Sequence, residues 1–149
     1  MRVFCDTSVL VAASIEAHSH HLPAKAALGR VRRGDDVGHV AAHTLAETFS
    51  VLSRMQTKPK LYPQDVLAIL ESNVFPQFIV VALTPQDYPE AIRALVAKGF
   101  GGGRIYDMLH VYVAKKLSLD KIYTFNDAEW KNLAPELSSL ICAPQSVAA

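Results

Sequence analysis

Arg2-Val3-Phe4-Cys5-Asp6-Thr7-Ser8-Val9-Leu10-Val11-Ala12-Ala13 sets one carboxylate inside an otherwise apolar run. Val3 to Cys5 read as a short buried strand, and Thr7 to Ser14 as the opening of a helix. Asp6 then stands at the carboxyl end of the first strand, the edge where open α/β sheets place their ligand sites. A charge in that position needs a partner, because an uncompensated buried carboxylate costs several kcal/mol or titrates instead.

Working outward, the pattern alternates strand and helix. Val37 to Ala41, Phe78 to Leu83, Lys121 to Phe125 and Ser139 to Cys142 are short apolar runs bounded by turn residues, the signature of strands buried on both faces of a parallel sheet. Leu22 to Arg33 reads as a helix with a cationic last turn, stopped by Gly34. Ala42 to Met55 carries Leu45, Phe49 and Leu52 at helical spacing, and Gln64 to Val74 follows Pro63. Thr84 as N-cap with Pro85 at the first position opens a helix through Ala91, Leu95 and Val96 that stops at Gly99. Ile105 to Leu117 is the clearest helix, with Ile105, Met108, Leu109, Tyr112 and Val113 on one stripe. This alternation predicts a three-layer α/β/α sandwich around a mainly parallel sheet of about five strands, as one domain over residues 1–149.

Composition excludes several classes. Of 149 residues, 50% are hydrophobic and 19% charged, which is globular rather than disordered, and the net charge of +1 neither demands nor forbids a nucleic-acid partner. No apolar run reaches the roughly 20 residues of a membrane span, and no secretory signal is visible. Cys5 and Cys142 read as buried thiols. Together these features predict a cytoplasmic protein with no membrane partner.

Three further positions carry acids that bear on Asp6. Glu47 lies off the apolar stripe of its helix, where the bland reading is a solvated glutamate. Asp107 opens the clearest helix, after Gly101-Gly102-Gly103, and fits either a dipole-opposing acid or a cleft residue. Asn126 and Asp127 follow the fourth strand and suit the cap of a short helix, Ala128 to Ala134. If the first and fourth strands are neighbours, Asp6, Asp107 and the Asn126/Asp127 pair share one crevice. Carboxylates so gathered need a cation, and oxygen donors without convergent His or Cys favour Mg2+ or Mn2+ over Zn2+. His18, His20 and His21 look like a zinc cluster but sit in a polar loop with no Cys or convergent acid nearby, and His39 and His43 read as structural or rim residues. Trp130 reads as packing the last helix on the sheet.

Phe4-Cys5-Asp6-Thr7-Ser8, Glu47, Tyr106-Asp107 and Thr124-Phe125-Asn126-Asp127, in this order and spacing, resemble the PIN-domain ribonucleases, and most closely the VapC-type toxins of toxin–antitoxin pairs. The resemblance implies a PIN-like fold and a magnesium-dependent endoribonuclease that hydrolyses RNA phosphodiester bonds with metal-activated water. It implies metal ligands at Asp6, Asp107 and Glu47, and Ser8 supporting the first aspartate. At the last site the family has an acid two residues after the threonine; this chain has Asn126 there and Asp127 one step later, and either one completes the catalytic set. Arg104 is the basic residue best placed to meet a substrate phosphate. The resemblance also implies a homodimer and a cognate antitoxin, with Gln56 to Pro63 and the following helix, rich in Leu67, Ile69 and Leu70, as the surface for both. Two other readings remain open: a receiver- or phosphatase-like domain using Asp6 as nucleophile, and a non-catalytic PIN-like module that binds RNA or protein.

Overall fold

The computed structural model describes residues 1–145. The elements run β1 (Arg2–Cys5), α1 (Thr7–Ser14), α2 (His21–Arg32), β2 (Val37–Ala41), α3 (Ala42–Arg54), α4 (Pro63–Asn73), β3 (Phe78–Val81), α5 (Asp87–Ala97), α6 (Arg104–Lys115), β4 (Lys121–Tyr123), α7 (Asp127–Leu133) and β5 (Ile141–Cys142). The five strands form one sheet in the order β3-β2-β1-β4-β5, and every pairing is parallel. Parallel neighbours require crossovers, and the helices that make them cover both faces.

Alternation along β1 divides the core. Val3 and Cys5 face one apolar cluster with Val9, Leu10, Leu52, Val66 and Leu70. Phe4 faces the other, with Leu95, Met108, Val111, Ile122 and Trp130. Successive strand residues point to opposite faces, so one four-residue strand anchors both layers. The chain leaves β1 toward β2 and β3 on one side, then returns to β4 and β5 on the other. The strand order therefore reverses between β1 and β4, and a crevice opens beyond their carboxyl ends. The Asp6 N–H donates to the Tyr123 carbonyl at 3.2 Å and closes the base of this crevice.

Several expected details differ. Thr84 is not an N-cap: α5 begins at Asp87, and the Thr84 N–H and hydroxyl both donate to the Asp87 carboxylate, at 2.7 and 3.0 Å. The strands expected to end at Leu83 and Phe125 stop at Val81 and Tyr123, and the one expected from Ser139 begins at Ile141. β3 is an edge strand with Ile79 and Val80 exposed, not buried on both faces. α3 buries Thr44, Thr48 and Leu52, whereas Phe49 is 39% exposed. That rotation tucks Glu47 inward, against the solvated reading. On α4, Leu70 is core and Leu67 is exposed. Val96, expected on the buried stripe of α5, is 65% exposed. Gly34 ends α2 with φ +79°, a left-handed conformation that glycine adopts without strain. Cys5 and Cys142 are free thiols, the first buried and the second partly so. Among the described residues no helix is long and apolar enough to cross a membrane.

Candidate active site

Asp6 is 2% exposed and occupies the N-cap position of α1. Its Oδ1 accepts from Ser8 Oγ at 2.5 Å and from the Val9 N–H at 3.3 Å. Its Oδ2 accepts from Thr124 Oγ1 at 2.5 Å and from Trp130 Nε1 at 3.1 Å. These donors are the direct partners that the buried charge required. Burial raises the Asp6 pKa, and the hydrogen bonds pull it back. Trp130 packs the last helix as expected and also holds Asp6. Ser8 Oγ accepts from the Phe125 N–H at 3.0 Å, and Thr124 Oγ1 from the Asn126 N–H at 2.9 Å. Two hydroxyls thus clamp the loop after β4 to the carboxylate at the end of β1.

Glu47 and Asp107 face the same cleft, of about 430 Å³, as Asp6. The Glu47 carboxyl is pushed up to about 7, chiefly by burial and to a lesser extent by Asp107 and Asp6, against the Thr7 hydroxyl that donates to Oε1 at 3.3 Å. Burial likewise pushes Asp107 up to about 6; the Asp6 and Glu129 charges add to this and Arg104 opposes. Asn126 lines the cleft, and its side chain makes no capping bond to α7. Asp127 is the first residue of α7 and pairs with Lys131 at 3.2 Å on the exposed surface. Arg104 lies with its guanidinium 4.0 Å over the Phe100 ring.

His110 is the residue that sequence reasoning missed. It is 1% exposed, with Nε2 2.7 Å from Thr44 Oγ1 and 3.6 Å from Glu47 Oε1. Nδ1 has no hydrogen-bond partner and lies 4.0 Å from Asp107 Oδ1. One imidazole therefore stands between two of the acids. Burial, reinforced by His43, lowers its pKa well below the ordinary histidine value and keeps it neutral. Its position was a usable signal: a polar residue three after Asp107, inside an apolar helix, shares the face of that acid and needs buried partners. His43 is also closer to the chemistry than a rim residue, with Nε2 3.4 Å from Glu47 Oε1 and 3.2 Å from the Tyr106 carbonyl. His39 is buried within β2, its Nδ1 3.1 Å from the Val3 carbonyl. His18 and His20 line the same cleft as Asp6, Glu47 and Asp107, so the expectation that no acid converges on that loop is corrected.

The expectation that no histidine converges on the acids fails as well. His43, Glu47 and His110 present ligand atoms within 4.8 Å of one another. His43 Nε2 already meets the Tyr106 carbonyl and His110 Nε2 meets Thr44, while His110 Nδ1 stays without a partner 4.0 Å from Asp107 Oδ1 and Glu47 and Asp107 line the cleft. Asp6 raises the proton affinity of both Glu47 and Asp107, and Asp107 that of Glu47, so the three carboxylates form a donor set that a divalent cation would relieve, and they are the residues able to hold it.

The chain matches the PIN domain family model over residues 3–134. It is 34% identical over 110 residues to Ribonuclease VapC40 of Mycobacterium tuberculosis, covering 74% of this chain and 76% of that protein. Ribonuclease VapC27 of the same organism is 28% identical over 104 residues, 70% of each chain. Among solved structures, Mycobacterium tuberculosis VapC20, a sarcin-ricin loop cleaving toxin, superposes with a TM-score of 0.67 at 20% identity, over 85% of this chain and 92% of that one. VapBC2 from Rickettsia felis, bound to a DNA fragment from its promoter, gives 0.61 at 17% identity, over 97% and 100%. The two structures share the three-layer fold with its parallel sheet.

Proposed function

Because this chain belongs to the PIN-domain family, in its VapC-type branch, we propose that it is a divalent-cation-dependent endoribonuclease toxin acting on RNA in the cytoplasm and held in check by a cognate antitoxin. The observation that carries this reading is the convergence of Asp6, Glu47 and Asp107 in one cleft at the switch point of the sheet, with Glu47 and Asp107 raised to about 7 and 6.

Asp6 and Asp107, with Glu47 beside them, would hold Mg2+ or Mn2+, which would supply Lewis-acid charge for the phosphate. The residues of the chain do the rest. Ser8, Thr124 and Trp130 fix both oxygens of Asp6, so that carboxylate needs no reorganisation when substrate arrives. Glu47 orients a water and takes its proton as the water oxygen bonds to phosphorus and the bond to the leaving oxygen breaks. The leaving oxygen is protonated from solvent. Asn126, rather than Asp127, completes the cleft wall and offers a neutral carboxamide to substrate or water. Ser8 serves the substrate through Asp6, and Arg104 through the field it adds beside Asp107.

The antitoxin segment occupies the apolar groove lined by Ile15, Met55, Lys58 and Leu61, which shares His18 with the acid cleft. The homodimer is proposed on α5 rather than on α4 as the resemblance implied, because Val66 and Leu70 of α4 are core whereas Tyr88, Ile92 and Val96 of α5 are exposed four residues apart on one stripe. The test is incubation with single-stranded RNA and with total cellular RNA, in Mg2+ and in EDTA. Discrete fragments that appear only with the cation support the reading. Intact RNA under every condition, with binding retained, leaves the non-catalytic module.

A further inference from the structure

We propose that His20 and Phe125 form a stacking site for one unpaired nucleobase beside the scissile phosphate, a role that rests on the ribonuclease reading. The His20 imidazole lies flat on the Phe125 ring, with centroids 4.3 Å apart and planes 8° apart. Both rings line the cleft that holds Asp6 and Asp107. Phe125 is the fixed member: it packs partly buried against the core, and its N–H is tied to Ser8 Oγ at 3.0 Å. His20 is the presented member. It is exposed although Phe125 covers one ring face, and it lines the cleft. His18 braces it, with Nδ1 accepting the His20 N–H at 3.1 Å and the two rings 5.8 Å apart at 42°.

A flat, polar-edged ring backed by an anchored phenyl ring is what an unstacked base can lie against, and such stacking contributes about 1–3 kcal/mol per base. The same cleft holds Asp6, Glu47 and Asp107, and Ser8 Oγ joins the Phe125 N–H to Asp6, so the phosphate of a nucleotide stacked on His20 falls beside the proposed cation site. Asn126, next to Phe125 in sequence and in the same cleft, offers donor and acceptor atoms to a base edge. A base paired inside a helix cannot reach such a ring. The site therefore selects a nucleotide in a single strand or loop.

The experiment uses the full chain carrying Asp107→Asn to suppress cleavage, with a short fluorescein-labelled single-stranded RNA and the set in which each nucleotide in turn is abasic. Anisotropy is read for the His20, His20→Ala, His20→Phe and His20→Leu proteins. With His20, one abasic position weakens binding roughly tenfold. His20→Ala and His20→Leu bind the complete RNA more weakly by the same factor and no longer sense that position, while His20→Phe restores both. Equal affinity of all four proteins, or an abasic penalty that persists without His20, overturns the stacking site. Cleavage by the Asp107 protein, run in parallel, separates the two failures. Cutting without a His20-dependent position sinks the stack alone; neither cutting nor binding sinks the ribonuclease reading and the stack with it.

Discussion

At Asp6 three of the four donors are side chains that can be replaced singly, and the consequences differ. Thr124→Val removes the hydroxyl that donates to Oδ2 and accepts the Asn126 N–H, leaving a buried carboxylate oxygen underserved and a backbone donor unpaired. A loss of about 1–3 kcal/mol in urea denaturation is expected, and an unchanged midpoint would refute the clamp. Glu47 has the opposite sign. Its folded proton affinity is raised from the ordinary 4.5 to about 7, so the folded chain binds more protons between those values and this contribution to stability is lost as pH rises through them. Glu47→Gln should stabilise the metal-free protein by on the order of 1–3 kcal/mol at pH 8, with the gain fading toward pH 4; a gain independent of pH would contradict the assigned cause. Asp6 was legible in the sequence because a charge interrupting an apolar run has few explanations. Trp130 as its donor was not, since 124 residues separate the pair. His110 stayed hidden because its partners, Thr44 and Glu47, come from a different helix.

At the scale of elements, strand ends are set by partners. β4 stops at Tyr123 because β1 offers only Cys5 opposite it, and β3 stops at Val81 opposite Ala41, the last residue of β2. Apolar residues beyond those points, such as Leu83 and Phe125, look like strand and pack as loop. The alternation of strand and helix was readable from local pattern, whereas these limits belong to neighbours. α3 adds a second case, since its buried face carries Thr44 and Thr48, chosen by what they meet rather than by hydropathy. Gly38 marks the tightest packing in the sheet: a Cβ there would lie 2.7 Å from the Phe78 ring and 2.8 Å from Val31 Cγ1. Gly38→Ala should lower stability by about 1–3 kcal/mol while the acid cleft keeps its geometry, read as a reduced melting temperature with RNA cleavage retained below it. An unchanged melting temperature would mean that β2 shifts freely.

The whole molecule sets a crevice of acids at the reversal of strand order and leaves an apolar stripe on α5. Tyr88, Ile92 and Val96 are exposed while Ala91 and Leu95, on the same helix, are buried. Ile92→Asp should convert a dimer to a monomer in sedimentation, and an unchanged mass would remove α5 from the interface. The central claim is that the three acids gather a cation and hydrolyse RNA with it, and Asp107→Asn tests it most directly. Asparagine keeps the shape and removes a charge that burial and Asp6 already disfavour, so the fold should be preserved. Cleavage of single-stranded RNA across a Mg2+ titration, with the melting curve as control, is the measurement. A rate lower by about a hundredfold or more at every cation concentration, with an intact melt, is predicted. Cleavage by the variant at the unsubstituted rate would contradict the account.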